Sequence, residues 1–306
     1  MTIRLAVLPD TQVMADRRPD LFDGIGDWLA RHADRLDAVL HVGDVVDRGA
    51  ADAAQLAVAA RVRDRIVAAG LPLFVAAGNH DDDVLLAGEQ RSLTAFARDL
   101  TVDPTSPWIA GGRSDDDTDA TNRYGFVTAG DERLLVVVAE FGPRPEVAAW
   151  VDRVLQQHAD TDAVLVTHGW LNCDGTRMRP GVPFHPDSYA ATRGGLDAEA
   201  WWPKLRRHDN LRMILCGHQV PGPLAYRVDA GEAGHGVLAS YQNWQMDPDG
   251  GGGRIRLAEW DPATRTVTLT VVNTASGEVE QGPGHHVCVD LTPGSADIGT
   301  IHPGIA

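Results

Sequence analysis

His41-Val42-Gly43-Asp44-Val45-Val46-Asp47-Arg48-Gly49 closes an apolar run, Ala38–Val42, with a glycine and two aspartates three positions apart. A short apolar run bounded by Gly-Asp reads as a buried strand ending in a turn. The same pattern recurs on both sides. Upstream, Ile3–Leu8 runs into Pro9-Asp10-Thr11-Gln12; downstream, Leu73–Ala77 runs into Gly78-Asn79-His80-Asp81. Between these strands, Pro19–Arg35 sets Phe22, Ile25, Trp28 and Leu29 at helical spacing, and Ala51–Ala69 is an alanine-rich helix ended by Gly70 and Pro72. Strand–helix–strand units this short imply a parallel sheet with right-handed crossovers. Ligands on such sheets collect at the C-terminal ends of the strands.

The pattern extends down the chain. Phe126–Thr128 and Leu134–Ala139 read as a hairpin closed at Gly130-Asp131, and Glu146–His158 as a helix. Two further strands, Ala163–Thr167 and Leu211–Cys216, run into His168-Gly169 and Gly217-His218-Gln219. From Leu224 the chain turns to β, with strands expected at Leu224–Val228, Gly236–Tyr241, Ile255–Trp260 and Thr266–Val272. Gly111–Asn122, with its Asp-rich run, reads as a solvated loop, with a substrate-facing lid or a weak cation site as alternatives. Met178–Gly195 is rich in Pro and Gly and reads as an extended loop. Asp249–Gly253 reads as a hairpin turn, because a phosphate-cradling loop should lead into a helix and this one leads into a strand. Periodicity is lost after Ser276, so the expected division is one domain over residues 1–275 and a C-terminal tail, 276–306, packed on it.

Composition narrows the function classes. A chain of 306 residues can bury a sizeable core without staples. No apolar run reaches the roughly 18 residues that a transmembrane helix needs, and the opening Met1–Asp10 lacks the basic n-region of a secretory signal, so a cytoplasmic location is expected. Cys173, Cys216 and Cys288 are distant from one another and form no CxxC pair, which suits unpaired thiols in a reducing compartment. A net charge of −16 argues against nucleic-acid polymers as partners, since those are gripped by basic faces. A small anionic substrate can still bind where metal cations supply the positive field.

Five polar segments at strand ends would all lie on one sheet edge: Asp10-Thr11-Gln12, Asp44 with Asp47, Asn79-His80, His168, and His218. Carboxylate and amide oxygens with imidazole nitrogens form a mixed donor set for divalent metal. The glycines beside Asp44, Asn79 and His218 would allow the sharp turns that aim each ligand into one pocket.

Asp10-x-Gln12, Gly43-Asp44-x-x-Asp47-Arg48-Gly49, Gly78-Asn79-His80-Asp81, His168 and Gly217-His218 resemble the calcineurin-like metallophosphoesterases. More narrowly, Pro9-Asp10-Thr11-Gln12 resembles a bacterial branch that opens PDTQ, and its Asp-x-Gln is similar to the manganese-dependent ADP-ribose/CDP-alcohol diphosphatases. The resemblance implies a four-layer α/β/β/α sandwich and two divalent cations bridged by Asp44 and a hydroxide. One cation would take Asp44, Asn79, His168 and His218. The other would take Asp10, Asp44, a His where this chain has Gln12, and a second His where it has Val220. Both departures fall on the same site. The remaining donors, Asp10, Gln12 and Asp44, are all oxygen, which favours Mn²⁺, with Fe, Zn or Mg as alternatives, and leaves that site the weaker one. His185 is either a replacement ligand or a surface residue. His80 would be the general acid, held charged by Asp47. Arg48 and Asn79 would contact the phosphate, with a surface salt bridge as the alternative role for Arg48. The function implied is hydrolysis of a small-molecule phosphomonoester or phosphodiester by a metal-activated hydroxide. The alternatives are a degraded member that binds metal or phosphate without turnover, and a nucleic-acid phosphodiesterase.

Overall fold

The computed structural model describes residues 1–84, 88–113 and 121–303. Residues 114–120, which hold the acidic part of the expected Gly111–Asn122 loop, lie outside the described residues. Among the described residues no helix is long and apolar enough to cross a membrane.

Two mixed sheets face each other. The first joins β1 (Ile3–Leu8), β2 (Ala38–His41) and β3 (Leu73–Val75) in parallel. It continues antiparallel from β1 through β11 (Arg254–Asp261) to β12 (Thr266–Asn273). The second sheet runs in the order β15 (Ile301–His302), β9 (Leu224–Ala230), β10 (Gly236–Gln242), β8 (Leu211–Cys216), β7 (Ala163–Thr167), β6 (Glu132–Ala139), β5 (Arg123–Ala129) and β4 (Ile109–Gly112). Strands β6, β7, β8 and β10 are mutually parallel. The hairpin at Gly130-Asp131 forms as expected, pairing Ala129 with Glu132.

Alternating side chains of these strands divide the core. Leu5, Val7 and Leu40 meet Val136, Val164 and Leu215 between the sheets. The outer face of the first sheet packs under α2 (Pro19–Arg31) and α3 (Ala53–Ala68), next to the short α1 (Gln12–Arg17). The outer face of the second packs under α4 (Pro145–Gln157) and α5 (Ala198–Leu205). The result is the four-layer α/β/β/α sandwich.

Several local expectations shift. The helix expected over Pro19–Arg35 stops at Arg31, and Ala33–Arg35 tightens into a 3₁₀ turn. Asp249–Gly253 is not a hairpin turn: β10 lies in the second sheet and β11 in the first, so the segment is a crossover. Gly250, Gly251, Gly252 and Gly253 all take positive φ there, which only glycine adopts in such a run without strain. Beyond Ser276, β13 (Glu278–Val279) and β14 (His286–Asp290) extend the first sheet along β12, and β15 extends the second along β9.

Candidate metal centre

The C-terminal ends of β1, β2 and β3 and those of β7 and β8 converge across the two sheets. Asp10 follows β1, Asp44 follows β2, Asn79 and His80 follow β3, His168 follows β7 and His218 follows β8. Backbone bonds lock the segments together. Thr11 and Gln12 both donate their N–H to the Asp44 carbonyl at 3.0 Å, and Gly217 donates to the His168 carbonyl at 2.9 Å. His168 crosses between the sheets, its Nδ1 bonding the Val42 carbonyl at 2.9 Å.

Asp44, His168 and His218 each offer a ligand atom, and these atoms lie within 4.8 Å of one another. Their tautomers follow from their outer partners. His168 Nδ1 gives its proton to Val42 O, and His218 Nε2 bonds Phe184 O at 2.7 Å. A carbonyl only accepts, so both outer nitrogens carry hydrogen. With both rings neutral, the inner nitrogens, His168 Nε2 and His218 Nδ1, turn lone pairs toward each other at 3.1 Å, with Asp44 Oδ2 3.2 Å from His168 Nε2. Two facing lone pairs beside a carboxylate are held together by a proton or a cation. Backbone carbonyls that fix the far nitrogen of each imidazole are the usual support of metal-ligating histidines. Two further oxygens make the same case: Asn79 Oδ1 and Gln12 Oε1 are buried and have no hydrogen-bond partner among the described residues. Buried polar atoms are normally bonded. The donor set thus fits divalent metal.

Charge in the pocket is strongly coupled. Burial pushes the Asp10 carboxyl up, and the Asp44 charge adds to it, to about 8. Burial also disfavours the Asp44 charge, but His168 and His80 outweigh it and hold Asp44 below the usual carboxylate range. Burial would depress His168, yet the Asp44 and Asp10 carboxylates raise it to about 9; His218, buried and beside a charged His168, falls to about 3.

The glycines serve a different purpose from the one expected. Gly43 does turn sharply, at φ +104°, but Asp44 and His218 themselves take φ +50° and +78°. Residues other than glycine in this region carry strain that clusters at functional sites. Gly78 and Gly217 have no positive φ; they give room. A Cβ on Gly78 would sit 2.1 Å from Asp44 Oδ1, and one on Gly217 would sit 2.0 Å from Asp10 Oδ1.

His80 stands beside this cluster. Its backbone N–H donates to Asp44 Oδ1 at 2.9 Å, and its Nδ1 donates to the Asp47 carbonyl at 2.9 Å, with the Asp47 carboxylate farther at 3.4 Å. Burial opposes its charged form, but Asp44 and Asp47 win and raise its pKa. Asp47 therefore orients the imidazole through its backbone and supports the charge through its carboxylate. Arg48 is more than half exposed and pairs loosely, at 3.6 Å with Asp47 and 3.9 Å with Asp16.

Asp81, quoted with its motif but given no role from sequence, is fully buried and is the hinge pin of the site. Its Oδ1 accepts from Val45 N at 2.9 Å and Val46 N at 3.2 Å, and its Oδ2 from Gly78 N at 2.9 Å. It ties the Asp44 turn to the Asn79 turn. Burial and the Asp44 charge push its carboxyl up to about 7. Asp81→Ala strands three buried N–H groups, so a stability loss of about 3–5 kcal/mol is expected in urea denaturation. A loss below about 1 kcal/mol would show that the turns hold without it.

The family model for calcineurin-like phosphoesterases matches residues 3–222, a span containing every residue placed above. The chain belongs to the calcineurin-like phosphoesterase family. It is 26% identical over 272 residues to the uncharacterized protein YvnB of Bacillus subtilis (strain 168), covering 86% of this chain and 19% of that protein. The chain thus spans about a fifth of the length of that curated relative. In fold it is similar to the purple acid phosphatase PPD1 of yellow lupin (Lupinus luteus) seeds, at TM-score 0.57 and 12% identity over 95% of this chain and 54% of that one. It is likewise similar to a dimetal phosphatase from Danio rerio, at TM-score 0.55 and 12% identity over 95% and 99%.

The structure bears on two positions weighed for the weaker site, His185 and Val220. His185 is neither a stand-in ligand nor a surface residue. It is buried, its Nε2 bonds Asp197 Oδ2 at 3.1 Å, and its Nδ1 accepts from Asp187 N at 3.1 Å. Near the half-buried Val220, Asn243 enters the pocket: its Nδ2 bonds Asp10 Oδ2 at 2.8 Å and the Gln219 carbonyl at 3.1 Å. Asn243 follows β10 and lies 233 residues from Asp10 in sequence, where no local motif marks it.

Proposed function

We propose that this chain is a metal-dependent hydrolase of phosphoester bonds in a small molecule. The observation that carries this reading is the convergence of Asp44, His168 and His218 with the orphaned Asn79 and Gln12 oxygens, His80 standing alongside. Asp44, Asn79, His168 and His218 would hold one divalent cation; Asp10, Gln12 and Asp44 would hold a second, weaker one. The oxygen-only character of the second set favours Mn²⁺ over Zn²⁺. Such cations polarise phosphoryl oxygens and acidify an attacking water.

The chain's own groups supply the rest. His80 donates from Nδ1 to the Asp47 carbonyl, which leaves Nε2 to carry the proton given to the departing oxygen. The nearby carboxylates favour the charged form of that imidazole. Arg48, loosely paired, has a guanidinium fork suited to a phosphate oxygen.

Hydrolysis of a chromogenic phosphomonoester and phosphodiester should require added divalent metal, with Mn²⁺ more effective than Zn²⁺. Full activity after exhaustive chelation would sink the proposal. Tight metal binding with no turnover of either ester would move the chain to the class of binding proteins.

A further inference from the structure

The segment Met178–Gly195 reaches the metal centre through two consecutive carbonyls. Gln219 Nε2 donates to Pro183 O at 2.9 Å, and His218 Nε2 to Phe184 O at 2.7 Å. Behind these contacts the loop is tied to itself and to α5: Thr192 Oγ1 donates to Pro186 O at 2.6 Å, Gly194 N to Asp187 Oδ1 at 2.9 Å, and His185 pairs with Asp197. Phe184 is thereby held at φ +58°, a conformation that bulky residues avoid. Its backbone serves the metal ligand. Its ring does not serve the fold, because Phe184 is 44% exposed.

That ring stands edge-on to the His218 imidazole, 6.3 Å between centroids. The rings of Phe141 and Tyr189 approach the same imidazole at 4.4 and 6.2 Å. Tyr189 packs on Phe141 at 5.7 Å and lines a narrow cavity with Gly78 and Asn79. Isolated exposed apolar side chains are common on protein surfaces. This one is fixed in a strained conformation with its ring beside the imidazole of His218, and a rigid aromatic face there has affinity for another aromatic ring.

We propose that Phe184 is a stacking face for a planar aromatic group carried on an ester oxygen of the substrate phosphate, so that the preferred esters are aryl-like rather than simple alkyl phosphates. This rests on the phosphoesterase reading above, and its test is a binding measurement that does not need turnover. Calorimetric titration of the Mn²⁺-loaded protein with phenylphosphonate and with methylphosphonate isolates the ring from the phosphonate head. Wild type should bind the phenyl compound about tenfold more tightly. Phe184→Ala should bring the two affinities together while methylphosphonate binding and metal content hold, because the contact to His218 is made by the backbone. Phe184→Trp should keep the preference. Equal affinities in wild type, an unchanged ratio in Phe184→Ala, or binding of neither compound would overturn the proposal. A phenyl preference that Phe184→Ala abolishes, in a protein that hydrolyses no ester, would uphold the stacking face and remove the hydrolase reading instead.

Discussion

His80→Ala is expected to lower kcat by about 10²–10⁴-fold on esters with poor leaving groups, the usual span for a lost general acid. The geometry separates this residue from the metal ligands. Its imidazole is fixed by the Asp47 carbonyl, and only its backbone N–H touches Asp44. Removing the side chain leaves that N–H in place, so metal content should change little. On an activated ester whose leaving group departs without a proton, the loss should be much smaller. Comparing the two substrate types by steady-state kinetics, with metal measured on the same samples, separates the roles. An equal loss on both esters would assign His80 to something other than proton donation. A parallel loss of metal would make it a supporting residue of the ligand set.

Gly78→Ala is expected to cost at least about 10²-fold in kcat/KM, together with tight metal binding. Misplacement of a reacting or binding group by roughly 1 Å is enough for a rate loss of that size. The added methyl would meet Asp44 Oδ1 at 2.1 Å, an oxygen held by the His80 N–H, and Asp44 N at 2.4 Å, which is backbone. Asp44 is also the residue that holds Thr11 and Gln12 in place through its carbonyl, so its shift would reach the Asp10 segment as well. Metal content by mass spectrometry of purified protein and kinetics at saturating Mn²⁺ would check this. Wild-type metal content and activity in Gly78→Ala would mean the Asp44 turn can yield, and the tight fit would then be incidental.

The parts of the centre legible in sequence are those whose chemistry is local. Asp44, Asn79, His168 and His218 each follow an apolar run directly, and a strand end is visible as the place where apolar residues give way to glycine and a polar group. What stayed hidden depends on distance in three dimensions. Gly78 and Gly217 read as turn residues, yet their value is the absence of a Cβ beside carboxylates from other segments. Asn243 could not be paired with Asp10 without knowing that β10 lies beside β8. Helix α5 was masked by Pro203 in its interior; burial of Trp201, Trp202 and Leu205, and the Asp197 side chain capping Ala200 N at 2.8 Å, outweigh the missing donor. The crossover at Asp249–Gly253 looked like a hairpin because both of its flanks are strands. Sequence does not say which sheet a strand joins.

The strands that follow residue 222 govern where this polypeptide can be cut. Among the described residues, β11 covers the open side of β1 in the first sheet, and β10 covers the open side of β8 in the second. A fragment ending where the family match ends would present both of these apolar strands as bare edges, each with a row of unpaired backbone donors and acceptors. Exposed edges of that kind recruit other chains and lead to aggregation. The ligand-bearing segments therefore depend on these later strands for protection from self-association, and trimming the strands would remove it.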